Sequence, residues 1–169
     1  MGDWLEGICN LFQKEIELYG NLLTLELEKR KAVNSADGRV LQEITQRSYH
    51  FMVEASELER LRMKTIEEIY KTQNLEPSVD TITLTDFLNK VDRDSNFQLK
   101  GYATELKTTV HKLKDAIIIN EKLIQTRQDL LQKTVGEMRK LDKEPTYTSA
   151  DHKKKTNSKV RALVLNTSV

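Results

Sequence analysis

Residues 99–141 read LKGYATELKTTVHKLKDAIIINEKLIQTRQDLLQKTVGEMRKL, and their spacing decides the fold. Alternate steps of four and three from Leu99 reach Ala103, Leu106, Val110, Leu113, Ile117, Asn120, Ile124, Arg127, Leu131, Thr134, Met138 and Leu141. A 3.5-residue repeat keeps one seam of a helix against a partner helix for its whole length. No proline interrupts it, and its only glycines are Gly101 and Gly136. The spacing therefore predicts a helix of about 65 Å. Such a helix cannot bury its seam within itself, so the rest of the chain, or another chain, must cover it.

The seam changes character along its length. Through Ile117 every position is apolar; then Asn120, Arg127 and Thr134 place polar groups on one line, seven residues apart. Beside them Ile118, Ile119, Leu123, Leu130 and Val135 form a second apolar line. This end is apolar over a wide arc, yet it carries polar groups where a sealed core would exclude them. Two readings fit: a coiled coil whose polar positions set register, or a groove left open for a partner helix.

Working outward, the chain begins with another helical pattern over residues 3–33. Leu5, Cys9, Phe12, Ile16, Tyr19, Leu23 and Leu27 make one stripe, and Trp4, Ile8, Leu11, Leu18, Leu22 and Leu25 a neighbouring one. Two adjacent stripes imply contact with two other helices. Asp3 and Glu6 have capping-box spacing. The cluster Asn34-Ser35-Ala36-Asp37-Gly38 reads as a turn between antiparallel helices. A second helix follows over residues 37–73, with Leu41, Ile44, Ser48, Phe51, Ala55, Leu58, Arg62, Ile66 and Ile69 near heptad spacing. The charges within Leu58-Glu59-Arg60-Leu61-Arg62 are expected to form surface pairs, and Glu15 and Glu17 to lie on a solvated face. Pro77 breaks the pattern in residues 74–82. Thr83-Leu84-Thr85-Asp86 then opens a short helix over residues 84–91, and a box at Ser95 and Gln98 is expected to start the long third helix. Pro145 stops that helix.

The expected fold is all-α: an elongated antiparallel bundle or coiled coil of three long helices plus one short connecting helix. Residues 1–144 form this helical domain, and residues 145–169 a flexible basic tail. A charged fraction of 31% with few aromatics and two prolines fits that class. The net charge of +1 exerts no whole-chain pull on nucleic acid or membrane, but it hides an asymmetry. From Pro145 onward five Lys or Arg face one Asp, which leaves residues 1–144 at −3. The tail is too poor in apolar residues to offset the entropy of ordering, except at 160–165 (Val-Arg-Ala-Leu-Val-Leu), which could also dock on a partner's sheet edge.

Catalysis finds no constellation. His50, His111 and His152 are far apart and lack ligand-spaced partners, no glycine-rich phosphate loop is present, and Cys9 sits on an apolar stripe with no basic group a turn away. We read the chain as no enzyme, with no cofactor and no metal site. Lys153-Lys154-Lys155, Lys159 and Arg161 alone do not make a nucleic-acid module, and no run spans a bilayer. A single cysteine and an acidic N-terminal stretch fit a cytoplasmic protein. What remains is an interaction protein with a wide apolar arc and a lone tail aromatic, Tyr147.

The chain resembles the FlgN family of flagellar export chaperones. The residues that carry the resemblance are Glu59 and Arg62 late in the second helix, Asn120 with Leu123 and Ile124 in the third, and the exit Glu144-Pro145-Thr146-Tyr147 with Ala150-Asp151 and a basic tail. Thr148 stands where the family usually has glycine. The resemblance implies an ATP-independent cytosolic chaperone for the hook-associated proteins FlgK and FlgL, whose disordered terminal segments become amphipathic helices on assembly. The client surface would be Asn120, Leu123, Ile124, Arg127, Leu130, Leu131, Thr134 and Val135, the apolar members burying client leucines and Asn120 and Arg127 pairing with client polar groups. Tyr147 would dock on the cytosolic domain of the export gate protein FlhA. The alternative is a structural coiled coil that spends the same seam on self-association, for instance as a homodimer.

Overall fold

A computed structural model describes residues 3–77, 80 and 82–142, with the side chain of Asp3 excepted. All regular structure among them is helical: α1 (Asp3–Asn34), α2 (Gly38–Thr72), α3 (Leu84–Lys90) and α4 (Arg93–Leu141). The tail from residue 143, with Tyr147 and 160–165, lies outside the described residues.

The middle layer is α1, with α2 packed along one side and α4 along the other. This is what its two stripes require. Ile8, Phe12, Leu22 and Leu25 are sealed from solvent, as are Ile66 on α2 and Leu99, Leu106 and Leu113 on α4. Leu27 departs from its stripe and is 46% exposed. Successive i+4 steps from Tyr19 each advance about 40° round the helix, so the stripe drifts off the contact face and burial passes to Leu25 and Glu26.

The turn after α1 brings α2 back antiparallel. Asp37 N donates to Ala32 O at 3.0 Å, Ala36 takes φ 55°, and the Asp37 side chain caps α2 by accepting from Val40 N at 3.1 Å. At the other end of α2, Asn74 takes φ 51° while Gln73 N and Leu75 N close on Ile69 O and Tyr70 O. An αL residue with such closing bonds ends a helix cleanly. Thr83 caps α3 through Asp86 N, as its spacing predicts, and Asp86 accepts a 2.7 Å bond from the Tyr70 hydroxyl. Phe87 of α3 is fully buried between Trp4 and Tyr70, with ring centroids 6.4 and 6.2 Å away. This aromatic cluster closes the base of the bundle.

The start of α4 corrects the sequence reading. Asp92, not Ser95, is the cap: its carboxylate accepts from Asp94 N and Ser95 N at 3.1 and 3.0 Å. Ser95 lies one turn inside and donates its hydroxyl back to Asp92. A carboxylate that takes two free N–H groups at a helix start outcompetes a hydroxyl that could take one.

A second correction concerns charge. Arg62 does not pair on the surface, nor is Glu15 solvated. Both side chains have no exposure, and Arg62 Nε donates to Glu15 at 2.9 Å. Each sits in register with apolar neighbours, Arg62 between Leu58 and Ile66 and Glu15 between Phe12 and Leu18, so helical period carries them inward whatever their charge. Leu61, one position before Arg62, is 45% exposed.

A groove between the hairpin tip and the overhang of the last helix

The register of α4 on α1 is fixed by one polar cluster. Asn120 is 2% exposed. Its amide nitrogen donates to the backbone carbonyl of Glu26 at 2.6 Å and to the Glu26 carboxylate at 2.7 Å, and its oxygen accepts from Arg30 Nε at 3.0 Å. Lys29 pairs with the same carboxylate. Every group here has a partner, so the cluster is tolerated inside while specifying a single alignment. The alignment is parallel: Asn120 lies beside Glu26, and farther on Arg127 Nη2 donates to Asn34 O at 3.1 Å. That bond places a cation at the carbonyl end of α1, where it satisfies a free acceptor and the helix dipole.

Because α1 ends at Asn34 while α4 continues to Leu141, residues 128–141 project beyond the α1–α2 tip by about 21 Å. No residue of α4 after Asn120 is buried. Leu130, Leu131, Met138 and Leu141 are 65, 64, 63 and 85% exposed. Where this overhang leaves the hairpin it forms one wall of an apolar concavity of about 540 Å³. Ile124, Leu130 and Leu131 face Ala32, Val33 and Leu41 across it, with Ala36 at the turn. Arg127, Gln128 and Asp37 supply polar groups at its margin.

The sequence-predicted surface therefore divides. Ile124, Arg127, Leu130, Leu131 and Thr134 line the concavity together. Leu123 is half-buried beside it, and Val135 is 38% exposed farther along. Asn120 is spent inside the bundle on Glu26 rather than facing out, and it does not line the concavity. The opposing wall from the hairpin tip was not foreseen. Its signal is the small pair Ala32-Val33 before the turn, buried at the floor of the concavity, and the half-buried Leu41 after it.

Cys9 packs half-buried against the core, and burial pushes its thiol up, away from the reactive thiolate. Among the described residues no cluster of side chains is arranged to hold a metal ion, and no helix is long and apolar enough to cross a membrane.

No curated protein and no solved structure matches the chain. A family profile described as FlgN protein matches residues 1–155, a span that takes in all four helices, the groove and Tyr147. On that coverage the chain belongs to the FlgN family, the flagellar export chaperones.

Proposed function

We propose that this chaperone acts in the cytoplasm, where it takes the terminal segments of the hook-associated proteins FlgK and FlgL into the groove as amphipathic helices. Covering those segments blocks premature assembly. Delivery follows when Tyr147 docks on the cytosolic domain of FlhA. The observation that supports this reading is the uncovered apolar face of α4 past Arg127, held open against the hairpin tip. A helix laid there contacts Ile124, Leu130 and Leu131 on one side and Val33 and Leu41 on the other. Client leucines gain burial at roughly 25 cal/mol per Å², and ordering the client offsets part of the gain, which suits a chaperone that must let go.

The test is calorimetric titration of a FlgK terminal peptide into the protein and into Leu130→Glu/Leu131→Glu. Both side chains are mostly exposed, so the variant keeps its helical circular dichroism while affinity falls by about a hundredfold, or about 2.7 kcal/mol. Unchanged affinity removes the groove from the reading. Sedimentation in the same samples addresses the self-association alternative: a tight dimer indifferent to peptide favours the scaffold.

A further inference from the structure

We propose that, without a client, residues 160–165 of the chain itself occupy the groove, as an internal competitor. The reading rests on the proposed function only for its regulatory consequence; the occupancy is argued from the groove and the chain.

Three observations meet. The apolar wall of α4 is uncovered, and the chain leaves that same helix at Leu141, so residues 143–169 are tethered to the element that forms the wall. In that segment the one apolar run is Val160, Ala162, Leu163, Val164 and Leu165. It lies beyond residue 155, where the family match ends, and so is a feature of this chain that the family profile does not cover.

The reach fits. Leu131 and Ile124 lie about 15 and 26 Å back along α4 from Leu141. Residues 143–159, taken as a coil, have a root-mean-square span of about 23 Å. Effective concentration peaks when linker span and site distance match, and it is then in the millimolar range. Even a weak contact is filled under those conditions.

The walls also fix the form of the occupant. They are helices whose backbone groups bond internally, so a guest finds no open sheet edge and must satisfy its own backbone. A helical turn does so, and it places Val160, Leu163 and Val164, at i, i+3 and i+4, on one face. Arg161 falls about 100° round from Val160, at the edge of that face, where its long side chain reaches solvent.

The experiment uses the full chain with Cys9→Ser and a nitroxide on Thr167→Cys, read by the methyl resonances of Ile124, Leu130, Leu131 and Leu41. Broadening of these methyls when label and isotope share one chain, absent when they are on different chains, is the expected result. Broadening only between chains assigns the groove to a second copy and overturns the proposal, as does no broadening at all. The regulatory consequence is read separately. Leu163→Asp/Val164→Asp, which touches none of the described helices, should raise the affinity of the FlgK terminal peptide about tenfold. Methyl broadening without that gain refutes competition at the client site. Loss of peptide binding by every variant, with broadening intact, points instead to failure of the client assignment.

Discussion

Arg62 Nε donates to both carboxylate oxygens of Glu15, at 2.9 and 3.2 Å, and neither side chain is exposed to solvent. The pair joins α2 to α1 midway along the hairpin. It is incompletely satisfied: Arg62 Nη2 and the Tyr19 hydroxyl find no partner among the described residues. Burial pushes the Glu15 carboxyl above its ordinary value, and Arg62 beside it pulls it back only in part.

Removing one member strands the other. Arg62→Met should cost about 3–5 kcal/mol in urea unfolding, whereas Glu15→Met/Arg62→Met should recover most of it, because an ion pair replaced whole by apolar groups leaves no buried charge behind. The sign with pH follows from the raised carboxyl. The folded protein holds that proton more tightly than the unfolded chain, so stability falls as pH climbs from the ordinary carboxylate value through the raised one. Arg62→Met takes away the lowering partner, and its deficit should be larger near pH ~8 than near pH ~5. A double variant as unstable as the single one would show that the pair supplies net stability.

Asn120 makes the matching test on α4. Asn120→Ala leaves the Glu26 carboxylate and Arg30 without their buried partner, at an expected cost of about 1–3 kcal/mol. Amide exchange should quicken along the stretch around Ile117 and Leu123 while the α1–α2 hairpin keeps its protection. Uniform loss across all helices would mean that the cluster supports the whole bundle rather than the register of α4.

At the opposite end, hydrogen bonds from Ser95 and from the first backbone N–H groups of α4 hold the Asp92 carboxyl below its ordinary value. A lowered carboxyl contributes stability above the unfolded value that is lost as pH falls through the folded one. The amides of Asp94 and Ser95 should therefore lose protection, measured against their intrinsic exchange rates, on acidification below about pH 4. Asp92→Asn, a good cap without a charge, should abolish that dependence.

For the exit segment, Tyr147→Ala should weaken binding to the FlhA cytosolic domain while leaving client affinity unchanged, as two titrations can show. Loss of both, or of neither, removes the docking role from Tyr147.

Most of the architecture is legible in the sequence because periodicity is a direct image of burial. The seven-residue spacing from Leu99 marks α4, the doubled stripe marks α1 as the central helix, and Asn34-Ser35-Ala36-Asp37-Gly38 marks the hairpin. The errors arise where residue type is trusted over position. Glu15 and Arg62 look like surface charges, yet both fall on buried stripes, and the pairing that makes burial tolerable joins residues far apart in the chain. Asn120 looks like a client contact because it is polar on a seam; its partners Glu26 and Arg30 cannot be known until the register of α4 on α1 is. The hairpin-tip wall of the groove is hidden for the same reason: Val33 and Leu41 become a surface only because α4 passes them and continues.

The most direct measurement is methyl chemical-shift mapping of the protein titrated with a FlgK terminal peptide. Shifts concentrated on Ile124, Leu130, Leu131, Val33 and Leu41, with Leu99 and Leu106 unmoved, are the expected result. Shifts centred on the base of the bundle, or none while the peptide binds, would contradict a client site built from the overhang and the hairpin tip.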